Sequence, residues 1–198
     1  VAEAKRLYEQ AGYSAERPLS LEIRYSTNEN NNKIALAAAS MWKQVLGINT
    51  TLVNEESKVF LQSRAQKAVT EVFQAGWISD YNDPFSFLGQ FRTGDERNDY
   101  NYSNNGFDVL LEQIAQERIP ARRDRMMVEA ERMLLQDNPI VPVYTYVTRR
   151  LVDQHVKGWQ NNVMDHHLTR HMYKLKSIEP EGPAPGNAAA LEEETPAG

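Results

Sequence analysis

The chain contains no cysteine, which excludes disulfides, thiolate metal ligands and a cysteine nucleophile and leaves the redox compartment open. No apolar run approaches the roughly 18 residues that cross a bilayer as a helix, and the N-terminus lacks the charged-then-apolar pattern of a secretion signal. The 22 Lys and Arg are scattered among 27 Asp and Glu, for a formal charge of -5, so no stripe exists to neutralise a phosphate backbone and nucleic acid is not an expected partner. Glycine-rich phosphate loops and HExxH are also missing, and Ser57, Ser63 and Ser86 have no nucleophile-elbow glycines around them. Catalytic machinery and a cofactor site are therefore not expected.

What is present suits one substantial core, since 41% of the 198 residues are hydrophobic and 25% charged. The opening VAEAKRLYEQAGY places Ala4, Leu7, Tyr8 and Ala11 at helical spacing, with Gly12 as a left-handed exit. Neither a start methionine nor an N-cap residue precedes it, so the natural protein is expected to begin upstream and the chain to be a fragment.

After Pro18, LSLEIRYS alternates Leu19, Leu21, Ile23 and Tyr25 in strand fashion. The polar run NENNN then offers N-caps to a helix whose apolar stripe is Ile34, Ala38, Met41, Trp42 and Val45, ending at Gly47. GINTTLVNEE predicts a second strand, FLQSRAQKA a short helix after Ser57, and TEVFQAGW a third strand. Strands alternating with helices of this length predict βαβ crossovers, hence an α/β fold with a largely parallel sheet. The ligand edge of such a sheet lies at the carboxyl ends of its strands, which directs attention to the residues just after Gly76.

Asp83 and Pro84 form an N-cap and N1 pair for a short helix carrying Phe85, Phe87 and Leu88. Two further helices follow, over 106–116 and from Pro120 to about Gln136, the second with Met126, Met127, Ala130, Met133 and Leu134 inward as core. Its start, RIPARRDR, reads as a solvated charged face that can also touch a partner. PIVPVYTYVTRRLV predicts a strand whose prolines suit its start or an edge, and RHMYKLK a last short one. Residues 177–198, rich in Glu, Pro, Gly and Ala with little to bury, predict a disordered tail.

The strongest local signal is Gly76-Trp77-Ile78-Ser79-Asp80-Tyr81-Asn82-Asp83-Pro84. A carboxylate beside aromatic faces can hold an ammonium by a charge-assisted hydrogen bond while the rings exclude water. Asp80 is the candidate for that pairing. The residues alone leave a second reading open, a polar loop with aromatics packed beneath it.

AGWISDYNDPFSFL resembles the segment after a strand in the second lobe of periplasmic oligopeptide- and dipeptide-binding proteins, the peptide and nickel class (family 5) of substrate-binding proteins. KRLYEQAGY, IALAAASMWKQVLGINTTL, FDVLLEQIAQE and NPIVPVYTYVTRRLV follow in the same order as in that family, so the likeness spans about 1–176. It implies a lobe of the type II periplasmic-binding fold, with 150–176 returning toward a missing first lobe. It also implies two lobes closing over an extended peptide held largely by its backbone.

By the same resemblance Asp80 pairs with the ligand's free α-amino group and Trp77 walls the pocket. The backbone of Gly76 and Ile78 pairs with the peptide, Tyr81 and Asn82 belong to the motif, and Tyr146 approaches the ligand. The implied partners are a short peptide and the permease subunits of an ABC importer. The implied location is the periplasm, or a lipid anchor on the outer face of the cytoplasmic membrane. Relatives also take metal chelates, heme, opines or sugars, which keeps a non-peptide ligand as the alternative.

Gln74 and Ser79 stand where enteric oligopeptide receptors carry a basic and a small residue, so preference for ligand charge does not transfer. Arg64 can replace the missing charge only if it points inward, and as a helix residue it is expected in solvent. His167 and His171 have the four-residue spacing of a zinc pair, with His166 beside them, but without HExxH they are expected to be solvated or locally hydrogen-bonded rather than metal ligands.

Overall fold

The computed structural model describes residues 1–68 and 71–176. Contacts divide the chain into two units, Val1–Val143 and Tyr144–Gly198. The tail expected over 177–198 lies outside the described residues.

Unit 1 opens with helix α1 (Ala2–Gln10), left through Gly12 at a φ of 86°. The Tyr8 hydroxyl accepts the Leu19 N–H at 2.8 Å and so ties α1 to the start of β1 (Ser20–Ser26). Strand β1 follows its alternation, with Ile23 and Tyr25 buried on one face. Helix α2 (Glu29–Leu46) is capped by Asn28, whose side chain accepts from the Asn30 and Asn31 N–H groups, and stops at Gly47, where φ is 73°. Its Ala35, Ala38 and Trp42 pack on Ile23 and Tyr25. Met41 corrects the expected stripe: it sits at the stripe's margin and is 57% exposed.

Strand β2 (Asn49–Glu55) runs parallel to β1 in full register, from Ser20 opposite Asn49 to Ser26 opposite Glu55. Helix α3 (Ser57–Ala65) is capped by the Glu56 carboxylate, which accepts from the Lys58 and Val59 N–H groups. Of the third strand, expected across 70–77, Thr70 lies outside the described residues and the rest forms only β3 (Val72–Phe73), parallel to Ile23 and Arg24 of β1. One more bond, from the Gln74 N–H to the Arg24 carbonyl at 2.9 Å, closes the ladder. Ala75 and Gly76, both exposed, bring no side chain large enough to hold a sheet face, so pairing ends there. The sheet order is β2-β1-β3, all parallel, with α2 and α3 as crossovers.

The rest of unit 1 is helical. Helix α4 (Phe85–Leu88) is a single turn, and α5 (Asn105–Gln116) starts at Asn104, whose side chain accepts the Gly106 and Phe107 N–H groups. Helix α6 (Pro120–Asp137) begins with proline at its first position, where a missing N–H costs nothing. Phe107, Leu111 and Ile114 of α5 close against Met127, Ala130 and Leu134 of α6, with Leu88, Phe91 and Tyr102 completing the cluster. Each large side chain buried there stabilises the fold by about 1.5–3 kcal/mol. Buried Asn98 links the preceding loop by donating to the Arg92 and Tyr102 carbonyls and accepting the Tyr102 N–H. The Tyr102 hydroxyl donates to Asp137 at 2.6 Å, fastening that loop to the end of α6.

Unit 2 holds one small ladder, β4 (Val156–Lys157) antiparallel to β5 (Tyr173–Lys174). Gly158, at a φ of 80°, lets the chain pass the second strand: a Cβ there would lie 1.8 Å from the His171 carbonyl oxygen. The strand expected over 139–152 is not formed, and Val141, Val143, Tyr146, Val147 and Leu151 are exposed. A run of strand-favouring residues becomes a strand only when a neighbour supplies ladder bonds, and no described strand pairs with it. The final strand, expected over 170–176, is limited to β5, because 169–171 form a 3-10 turn.

Candidate functional site

Strand β1 is central, and its successor β2 lies on one side while β3 lies on the other. The loop leaving the carboxyl end of β3 therefore lies along the edge at which open parallel sheets bind ligands. The loop from β3 carries the WISDYNDP residues.

Along this loop Gly76, Ile78, Asp80, Tyr81 and Asn82 are exposed, with Ile78 at 86% and Tyr81 at 48%. Trp77 is half-buried; among the described residues its indole Nε1 is a buried donor without an acceptor, and the Gln74 Oε1 a buried acceptor without a donor. Asp80 is held through its backbone, whose N–H donates to the Ser86 Oγ at 3.0 Å. Among the described residues, no hydrogen bond or ion pair engages the Asp80 carboxylate. Arg97, whose guanidinium forks onto Asp95 at 2.8 Å, is raised from its ordinary pKa chiefly by Asp95, with Asp80 and Tyr81 adding to the negative field.

Asp83 caps α4: its Oδ1 accepts the Phe85 N–H at 2.8 Å. It also accepts two bonds from Arg123 of α6, at 2.6 and 3.1 Å. The Arg123 guanidinium holds the Asp83 carboxyl below its ordinary range, partial burial opposes this, and the Phe85 N–H assists it. This pair corrects the reading of RIPARRDR as a solvated face. Arg122 does point out, to Glu117, but Arg123 packs inward over the Phe85 ring, 6.0 Å from its centroid.

Arg64 also departs from expectation. Its side chain is only 12% exposed, pairs with Asp99 at 2.8 Å and lies over the rings of Phe60 and Phe73, 5.6 and 5.0 Å from their centroids. Helix α3 presents it toward the underside of β3, where Phe73 stacks on Tyr100. The sequence carried no sign of this pairing, because Asp99 belongs to a loop without periodicity.

Tyr146 belongs to unit 2. It is 68% exposed and meets Tyr144 edge-on at 4.9 Å. With Arg150, Trp159, Asp165 and His167 it lines an open hollow of about 700 Å³ within that unit. His167 stacks on Trp159 at 3.7 Å and its Nε2 meets Asp165 at 2.7 Å, while the His171 Nε2 accepts from Arg170 at 3.0 Å. Among the described residues, no group of three or more His, Cys, Asp or Glu is placed to hold a metal ion.

The model of the bacterial extracellular solute-binding proteins, family 5 (middle region), matches residues 1–99. The chain belongs to this family. Over 175 residues it is 39% identical to the periplasmic oligopeptide-binding protein OppA of Escherichia coli, covering 88% of this chain and 32% of that protein. The solved Escherichia coli murein tripeptide binding protein MppA superimposes with a TM-score of 0.80 at 37% identity, over 89% of this chain and 35% of that one. Haemophilus influenzae OppA in complex with RPPGFSPFR gives 0.78 at 36%, over 88% and 34%. This family 5 chain thus spans about a third of the length of these relatives, and its parallel sheet with flanking helices is part of the type II periplasmic-binding fold. Those relatives are named as periplasmic binding proteins, and no helix among the described residues is long and apolar enough to cross a membrane.

Proposed function

We propose that this chain is the amine-reading lobe of a receptor that captures short peptides and delivers them to the permease of an ABC importer, without converting them. The observation that carries the reading is Asp80: an exposed carboxylate, unengaged by the described residues, on the loop that leaves the carboxyl end of β3. Its backbone is fixed while its charge is not neutralised by a fork of its own. That is the condition for a strong charge-assisted bond to an incoming ammonium. Trp77, Tyr81 and Asn82 lie on the same loop, and Ile78 and Gly76 offer exposed backbone to an extended peptide. The resemblance also gives Tyr146 an approach to the ligand, and a first lobe outside this chain would close over it. Capture belongs to the periplasmic face of the membrane, where the named relatives work.

The test is Asp80→Ala in the full-length receptor, followed by calorimetry with trialanine. Leaving the ammonium without its carboxylate partner should weaken binding at least about tenfold. Acetylating the peptide's N-terminus should produce a similar loss in the wild type and little further loss in the variant. Equal affinity of Asp80→Ala and wild type for the free peptide removes Asp80 from this role. Indifference of the wild type to acetylation turns the reading toward a non-peptide solute.

A further inference from the structure

We infer that Ser86, Asp83 and Arg123 are positioning residues that fix the Asp80 loop to the α5–α6 core, an inference that rests on the amine-reading role of Asp80. Asp80 has one anchor among the described residues, the Ser86 hydroxyl that accepts its N–H at 3.0 Å. Ser86 is only 2% exposed, so this bond is shielded from competing water. Ser86 sits in α4, however, and a one-turn helix cannot hold its own place.

Its backbone bonds are few: the Ser86 N–H to the Asp83 carbonyl at 3.0 Å, the Phe87 and Leu88 N–H groups to the Pro84 carbonyl at 2.9 and 3.4 Å, and the Gly89 N–H to the Phe85 carbonyl. Two things restrain α4 from outside: Leu88, buried in the α5–α6 core at its far end, and at its start Asp83, which takes the Phe85 N–H on one oxygen and the two-pronged guanidinium of Arg123 across both. A bidentate arginine fixes the plane of a carboxylate as well as its position, which a single lysine contact does not. Arg123 in turn belongs to an 18-residue helix whose Met127, Ala130 and Leu134 are locked in the core. The sequence of restraints runs from that core through Arg123, Asp83 and Ser86 to Asp80.

The sheet contributes only the loop's beginning, since the ladder ends at Gln74, six positions before Asp80. If α6 did not hold the far side, the carboxylate would have to be ordered each time a ligand arrived, and affinity would fall by that ordering. The three residues touch no ligand in this scheme; they act through Asp80.

The experiment uses the full-length receptor with trialanine and N-acetyl-trialanine as probes. Ser86→Ala and Arg123→Gln are each expected to narrow the preference for the free amine by about three- to tenfold, with Arg123→Lys intermediate. In an Asp80→Ala background the same changes should alter affinity for the free peptide by less than about twofold, because coupled residues do not add. Weakening of both probes by equal factors, or full additivity with Asp80→Ala, overturns the inference and leaves an ordinary structural contact. If Asp80→Ala does not narrow the preference, the amine-reading role falls and this inference with it. If only Asp80→Ala narrows it, the inference alone fails. Should Arg123→Gln not fold, Ser86→Ala and Arg123→Lys carry the same comparison.

Discussion

The two units are built from similar residues and reach opposite states of burial. Every fully buried side chain among the described residues lies in Val1–Val143, whereas none in 144–176 is buried. Yet 139–152 are rich in the Ile, Val, Tyr and Thr residues that favour strands. The difference is one of partners. Tyr25 is buried because β2, β3 and α2 surround its strand, while Tyr146 and Leu151 extend from a segment that no described strand joins. Periodicity selects a face, and only a neighbour turns the face into a core.

The largest expected effect follows from that contrast. Phe107→Ala empties a site with no exposure between α5 and α6 and should cost about 3–5 kcal/mol in urea unfolding. Tyr146→Ala, at a site 68% exposed, should change unfolding of the same chain by less than about 0.5 kcal/mol. Similar costs would mean that unit 2 has a core the exposures do not reveal. Hydrogen exchange sharpens the comparison: amides of α5 and α6 should be protected to nearly the global unfolding free energy. Those of 141–152 should exchange near the rate of an open chain. Protection of 141–152 in the isolated chain would show pairing that the structure lacks.

How far the sequence could be read follows the same division. Helices α1, α2, α5 and α6 and strands β1 and β2 were legible from local sequence, with the NENNN run and Gly47 marking the ends of α2, although Asn104 as the cap of α5 was not foreseen. The place of the Asp80 loop was legible too, since strand and helix alternation fixes which edge of the sheet it leaves. What was not legible depends on residues far apart in the chain. Arg123 and Asp83 are 40 positions apart, and no local pattern distinguishes Arg123, which turns inward, from Arg122, which turns out. Arg64 became a buried partner of Asp99 for the same reason. The strands that shrank, over 70–77 and 139–152, failed on pairing rather than on propensity.

A smaller effect tests the long-range ion pair by acid. Because Arg123 depresses the Asp83 pKa in the folded state, the pair's stabilisation is complete above the unfolded carboxylate value, near 4, and is lost as pH falls through the lower folded value. Asp83→Asn should therefore cost about 1–2 kcal/mol at pH 7. The gap from wild type should stay constant down to about pH 5 and close below about pH 4. Unit 2 supplies the control. Asp165 is likewise depressed, to about 2, by Arg150 and then His167, but the pair with Arg150 is exposed. An exposed pair is screened and loses side-chain entropy in forming, so Arg150→Ala should leave the urea midpoint of the chain unchanged at every pH. A pH-dependent loss in Arg150→Ala as large as that in Asp83→Asn would show that burial in unit 1 is not what gives an ion pair its weight. The contrast between the two units would then rest on side-chain packing alone.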